Sequence, residues 1–173
     1  LLSVLNGVSQ INLELTPAVR KELGQLQLKA AEKLASRRDE LNPQQIKRLE
    51  LCLAEAYLAI DQPIRALEYY QELLKQSPHD RSLIKQVASL LEKCGTKECM
   101  RLAKQKWRQL ETSEKAGSLP WLETRLHIIK TSFESGDEAE AKKLLGVTKL
   151  LYPELGNTEM QNRYRTVETR LNQ

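Results

Sequence analysis

The sequence predicts an all-α protein built from paired helices, and three observations carry that expectation. Leu, Ala, Glu, Lys, Gln and Arg dominate the 173 residues while Gly and Pro number 7 and 6, which is the vocabulary of helix formers. Apolar residues recur three and four apart in segment after segment, each bounded by Asn, Thr, Ser, Pro or Gly. One frame is also written twice: ALEYYQELLKQSP from Ala66 to Pro78 and AKKLLGVTKLLYP from Ala141 to Pro153, each with alanine first and proline twelve residues on.

The first fifteen residues are ambiguous: Val4 and Leu5 before Asn6-Gly7 suit a helix end, and Ile11, Leu13 and Leu15 alternate as in a short extended piece. Thr16-Pro17 then offers a capping side chain before a proline suited to a first helical turn. Val19, Leu23, Leu26, Ala30 and Leu34 follow at helical spacing, and Arg37-Arg38 suit a helix C-terminus, so one helix of about 24 residues is expected from Pro17 to Asp39. Asn42-Pro43 repeats the start signal for a helix carrying Ile46, Leu49, Leu53, Ala56 and Tyr57. It breaks at Asp61-Gln62-Pro63, and its partner carries Ile64, Leu67, Tyr70 and Leu74 up to Ser77-Pro78. So short a turn makes the two antiparallel.

The pattern recurs. A helix with Leu83, Ile84, Val87, Leu90 and Leu91 breaks at Cys94-Gly95, and Thr96 caps a partner bearing Cys99, Met100, Ala103, Trp107 and Leu110. After a polar stretch from Glu111 to Pro120, a third pair spans Trp121 to Glu134 and Glu138 to Leu151. Asn157-Thr158 caps a last helix with Met160, Tyr164, Val167 and Leu171 on one stripe. The expected organisation is a single domain over 1–173: an N-terminal helix in 16–41, helical pairs at 43–80, 81–111 and 121–155, and a capping helix at 157–173.

The 27 basic and 23 acidic side chains are scattered, giving a net charge of +4 and the look of a solvated surface, so nucleic acid ranks below protein as a partner. The most basic segment, Lys97, Arg101, Lys104, Lys106 and Arg108, lies on a helix that must also supply Trp107 to the core, which makes it an outer face. No window approaches the eighteen or so apolar residues of a membrane span, so no membrane insertion is expected. The odd set of Cys52, Cys94 and Cys99 fits small apolar fillers at helix contacts and a reducing, cytoplasmic compartment rather than zinc, which takes about four ligands in tighter pairs. There is no H-E-x-x-H, no Gly-rich phosphate loop and no G-x-S-x-G elbow. His79 sits in a turn between Pro78 and Asp80, and His127 lies on a helix as a groove or surface residue. The expectation is a protein without enzymatic activity, cofactor or metal.

Aligned on their breaks, the three pairs start near Lys47, Arg81 and Leu122, about 34 and 41 residues apart. Leu53-Ala54, Tyr57, Ala66, Tyr70 and Pro78 in the first pair follow a pattern of small residues at the helix crossing, aromatics beside them and a closing proline. The third pair keeps Gly136, Ala141, Leu145 and Pro153 but has Ser132 for an aromatic and Arg125 for a tryptophan; in the second, Cys99 or Met100 takes the small slot. In this spacing and these residues the chain resembles the tetratricopeptide repeat family.

The resemblance implies a right-handed α-solenoid acting as a protein-interaction scaffold, with the first helix of each pair lining a concave groove for a peptide or helix. Carried over position by position, it places Arg48, Leu51, Cys52, Glu55 and Leu58 in that groove, with Lys85, Gln86, Ser89 and Glu92 from the second pair and Glu123, Leu126, His127, Lys130 and Phe133 from the third. Members that clamp a C-terminal carboxylate use Lys and Asn; here Leu51 and Glu55 hold leading slots, Ser89 replaces an Asn and Lys85 alone fits. That implies an apolar ligand gripped by leucines and steered by Lys85 and Lys130. The helix from Pro17 could instead cover those leucines. The alternative reading is a helical arm that positions or regulates activity encoded elsewhere in a longer protein, and RNA binding through the basic helix ranks below both.

Overall fold

The computed structural model describes residues 16–173; the two readings at residues 1–15 lie outside the described residues. Among the described residues there are eight α-helices and no strand: α1 (Pro17–Ala35), α2 (Pro43–Ala59), α3 (Pro63–Gln76), α4 (Arg81–Cys94), α5 (Lys97–Glu111), α6 (Leu119–Glu134), α7 (Glu138–Leu151) and α8 (Thr158–Leu171). The fold class is therefore the all-α, helical-repeat one that the periodicity predicts. Contacts divide the chain into two compact units, Leu1–Leu83 and Ile84–Gln173, with the division inside the first turn of α4.

In the first unit, α1 begins where Thr16 Oγ1 accepts from Val19 N–H and Pro17 opens the helix. It is shorter than expected. Ser36 Oγ bonds back to Lys33 O, Arg37 pairs with Glu40, and residues Arg38–Glu40 form a separate 3-10 turn, so the cations that favour a helix end lie just beyond it. The face that α1 buries also differs from the expected stripe. Gly24, Gln27 and Ala31 are buried, whereas Val19 and Leu26 are 43% and 64% exposed. The cause is a close approach to α2: a Cβ on Gly24 would lie 2.5 Å from Ala59 Cβ. Backbones that near leave room for small residues and none for a leucine row.

α2 opens with a reciprocal capping box, Asn42 Oδ1 accepting from Gln45 N–H and Gln45 Oε1 from Asn42 N–H, both at 2.9 Å. Its turn into α3 uses Asp61 at φ 61°, and Gln62 N–H returns to Tyr57 O at 2.8 Å. Leu53, Ala54, Ala66 and Tyr70 are all buried where the two helices meet. Tyr57 stacks on Tyr69 with centroids 5.7 Å apart, and Arg65 lies over its ring. Buried Glu50 is held by Arg38 and, at 3.2 Å, by Gln76 Nε2.

In the second unit, Thr96 caps α5 and Ser118 caps α6, two residues ahead of the expected start because Pro120 sits inside the first turn. α6 is the central helix, packed against α5, α7 and α8. Met160, Tyr164, Val167 and Leu171 of α8 join Leu122, Leu126, Ile129 and Leu145 in one apolar cluster, each side chain contributing roughly 1.5–3 kcal/mol by burial. Tyr164 Oη donates to Leu122 O at 2.8 Å, so the buried hydroxyl is satisfied.

Where α6 carries Ser132 in place of an aromatic, a polar clasp takes over. Ser132 Oγ donates to Glu140 Oε2 at 2.8 Å, Lys104 Nζ lies 2.7 Å from the same oxygen, and Arg108 pairs with Oε1. Arg125, in the expected tryptophan slot, lies 4.7 Å from the Trp121 ring centroid and 2.6 Å from Glu111 Oε1. On the outer side of α7, Val147, Leu150 and Leu151 are 45%, 81% and 62% exposed.

Candidate functional site

The second unit gathers a polar strip on α4, α6 and α8. Lys85 Nζ lies 3.5 Å from Glu123 Oε2, and Arg163 of α8 lies 3.9 Å from the other oxygen. Two helical turns along α4, Glu92 Oε1 accepts from Trp107 Nε1 at 2.5 Å and stands 2.7 Å from His127 Nδ1, while Lys130 Nζ is 3.6 Å from Oε2. The His127 and Trp107 rings stack 4.2 Å apart at 17°. Burial alone would raise the Glu92 carboxyl; hydrogen bonding and charge from His127, the Lys130 ammonium and the Trp107 N–H outweigh it and hold that carboxyl below its usual range. The result is a fixed carboxylate behind a rim of cations.

The implied groove residues divide into three kinds. Lys85, His127 and Lys130 meet in this strip, with Gln86 exposed and Ser89 half-buried on the same helix as Lys85. Arg48, exposed, and Leu51, Glu55 and Leu58, half-buried, belong to the first unit. Leu126 and Cys52 are corrections, at 2% and 0% exposure. Both sit on helices packed from two or three sides, α6 by α5, α7 and α8 and α2 by α1 and α3, so the outward face is narrower than repeat alignment assumes. Phe133 is half-buried against the same apolar cluster as Leu126. In the second unit, Leu126 and Phe133 are thus drawn into the apolar cluster and the surface beside them is mostly polar. α1 settles beside α2 at Ala56, Ala59 and Ile60, leaving Leu51, Glu55 and Leu58 partly open.

Sequence reasoning placed Trp107 in the core without seeing its bond to Glu92, and Arg163 was missed. The available signal is spacing: Glu92 and His127 are 35 residues apart, about one repeat period, which puts them on the same face of successive pairs. The filler role given to Cys94 and Cys99 is also corrected, because the two sulfurs form a disulfide across the α4–α5 turn. Their separation, an α-helix end plus a two-residue connection, folds the chain back on itself. The basic residues of α5 are largely engaged within the protein, Arg101 with Glu98 and both Lys104 and Arg108 with Glu140. Among the described residues no group of three or more His, Cys, Asp or Glu is arranged to hold a metal, and no helix is long and apolar enough to cross a membrane.

A model of the tetratricopeptide repeat family matches residues 21–112, just over half of the chain. The chain belongs to the tetratricopeptide repeat family. The match takes in most of α1, which pattern alone left outside the repeats, and stops before α6. No curated protein and no solved structure gave a match. Tetratricopeptide repeats generally mediate protein–protein interaction and are typically non-enzymatic scaffolds.

Proposed function

We propose that this tetratricopeptide repeat protein acts by binding alone, as a scaffold or adaptor that takes a segment of another protein on the α4–α6 strip. The observation that carries the reading is the cation excess there: Lys85, Lys130 and Arg163 face Glu123 and Glu92, and each ammonium-to-carboxylate separation is 3.5 or 3.6 Å rather than a tight pair. The Lys85 and Arg163 pairs with Glu123 are long and near the surface and contribute little to folding, and Lys130, 3.6 Å from the more buried Glu92, completes a set of cations that an incoming carboxylate can engage. The partner segment is acidic, with main-chain or side-chain oxygens reaching the Lys85 and Lys130 ammonium groups. His127, clamped behind by Glu92 and Trp107, keeps its other ring nitrogen for the same ligand. Within the first unit, the same reading assigns Arg48, Leu51, Glu55 and Leu58 to partner contact.

The test is comparative capture from extract by the native chain and by a Lys85→Glu, Lys130→Glu double variant, with circular dichroism to show an unchanged fold. Specific captured proteins should be lost on charge reversal. An identical captured set overturns the strip assignment.

A further inference from the structure

Cys94 is the last residue of α4 and Cys99 the third of α5, and their sulfurs are joined across the connection Gly95-Thr96. Both cysteines are half-buried, so the bond is reachable from solvent. Cys52 is different: it is fully buried, and burial pushes its thiol up, which keeps it protonated and slow to react.

The two bonded sulfurs stand in unlike fields. Cys99 lies in the first turn of α5, where unsatisfied N–H groups and the positive end of the helix dipole favour a thiolate. Cys94 ends α4, where the dipole disfavours one. Apart from the disulfide, the turn rests on Gly95 N–H to Glu92 O at 3.2 Å, Cys99 N–H to Thr96 Oγ1 at 3.1 Å and Gly95 at φ 75°. Glu92, two residues before Cys94, carries the bonds to Trp107 and His127. The covalent link therefore sits at the root of the hydrogen bonds that fix the strip.

We propose that Cys94–Cys99 is a thiol–disulfide exchange site for small thiols of the glutathione class, and that its oxidation state sets how firmly the α4–α5 turn holds the Glu92–His127 strip. The exchange stands on the cysteines alone; its effect on binding rests on the partner-binding reading above. A reductant thiolate attacks Cys94 Sγ, the S–S bond breaks, and its electron pair leaves with Cys99, the better leaving thiolate at a helix N-terminus. A second reductant thiolate attacks the reductant sulfur of the mixed disulfide and releases Cys94. Two small thiols become one small disulfide, two electrons enter the protein, and the two protons end on Cys94 and Cys99. A small disulfide runs the steps backwards.

The full chain is equilibrated in glutathione buffers from oxidised to reduced, denatured under acid quench, alkylated and weighed. Alkylatable thiols should rise from one to three across the series. On reduction, amide exchange at Cys99 and Met100, whose N–H groups bond to Thr96, should speed about tenfold and the His127 ring signals in NMR should shift, while a Cys94→Ser, Cys99→Ser variant keeps the reduced behaviour in every buffer. Three alkylatable thiols throughout overturns the exchange site. A disulfide whose reduction leaves the amide rates and His127 signals unchanged overturns its control of the strip. Neither readout needs a partner, so this failure is told apart from that of the charge-reversal capture.

Discussion

Glu92 of α4 and His127 of α6 share a 2.7 Å contact that is completed by Trp107 donating to the same carboxylate oxygen at 2.5 Å. Replacing Glu92 by Ala strands both donors in a half-buried site and should cost about 1–3 kcal/mol. Glu92→Gln, whose amide oxygen still accepts one of them, should cost less. Urea titrations followed by Trp fluorescence measure both.

Leu126 separates the two ways of reading α6. As a core residue at 2% exposure, its change to Ala should cost about 2–5 kcal/mol in chemical denaturation. Lys130, one turn on at the rim, should tolerate Gln with a loss of less than about 1 kcal/mol. Equal small effects at both positions would put Leu126 on the surface.

Gly24 should not accept a side chain. Gly24→Ala gains about 1 kcal/mol of helix propensity, yet its Cβ would meet Ala59 Cβ at 2.5 Å. The clash wins, with a net loss of about 1–3 kcal/mol expected from overpacking. An added Ala59→Gly change should recover part of it, and thermal melts of the native chain and the two variants check this.

Glu140 ties stability to acidity. Burial opposes its charge, but hydrogen bonds from Lys104 and Ser132 with the charge of Arg108 hold its carboxyl down at about 2, against an ordinary 4.5. A depressed folded value adds stability above the unfolded one, and that stability is lost as pH falls from about 4.5 toward 2. Glu140→Gln should flatten the fall of melting temperature across that window. A variant with the native slope would show that the clasp is not holding the carboxylate.

Helix existence and most caps were legible because they are local: Asn42, Thr96 and Asn157 each accept the N–H that their position demands. The one-sided stripe of α8 was legible for the same reason, since four apolar residues among polar ones can face only inward. The side of α1 that packs was not, because Gly24 and Ala31 give weak apolar signals and act through how near they let α2 come. The candidate site was harder again. Repeat alignment says which residues share a helix face, but whether Leu126 on that face is open depends on how many helices crowd α6, which is set by residues far along the chain. The Cys94–Cys99 bond depended on the angle between two helices at Gly95, about which residue identities say little.

The exchange of an aromatic for Ser132 gives the two tyrosine- and serine-bearing hairpins different sensitivities to their surroundings. Where α2 and α3 meet, Tyr57 stacks on Tyr69 and Ala66 and Tyr70 are buried, a hydrocarbon and ring contact that dissolved ions barely reach. At the later hairpin an apolar cluster joins α6 to α7, while the ion pairs of Glu140 run from α7 across to Lys104 and Arg108 of α5. Concentrated electrolyte should therefore loosen the α5–α7 tie while leaving the contact of α2 with α3 nearly untouched, so that how firmly α7 is held depends on the solution as well as on the chain.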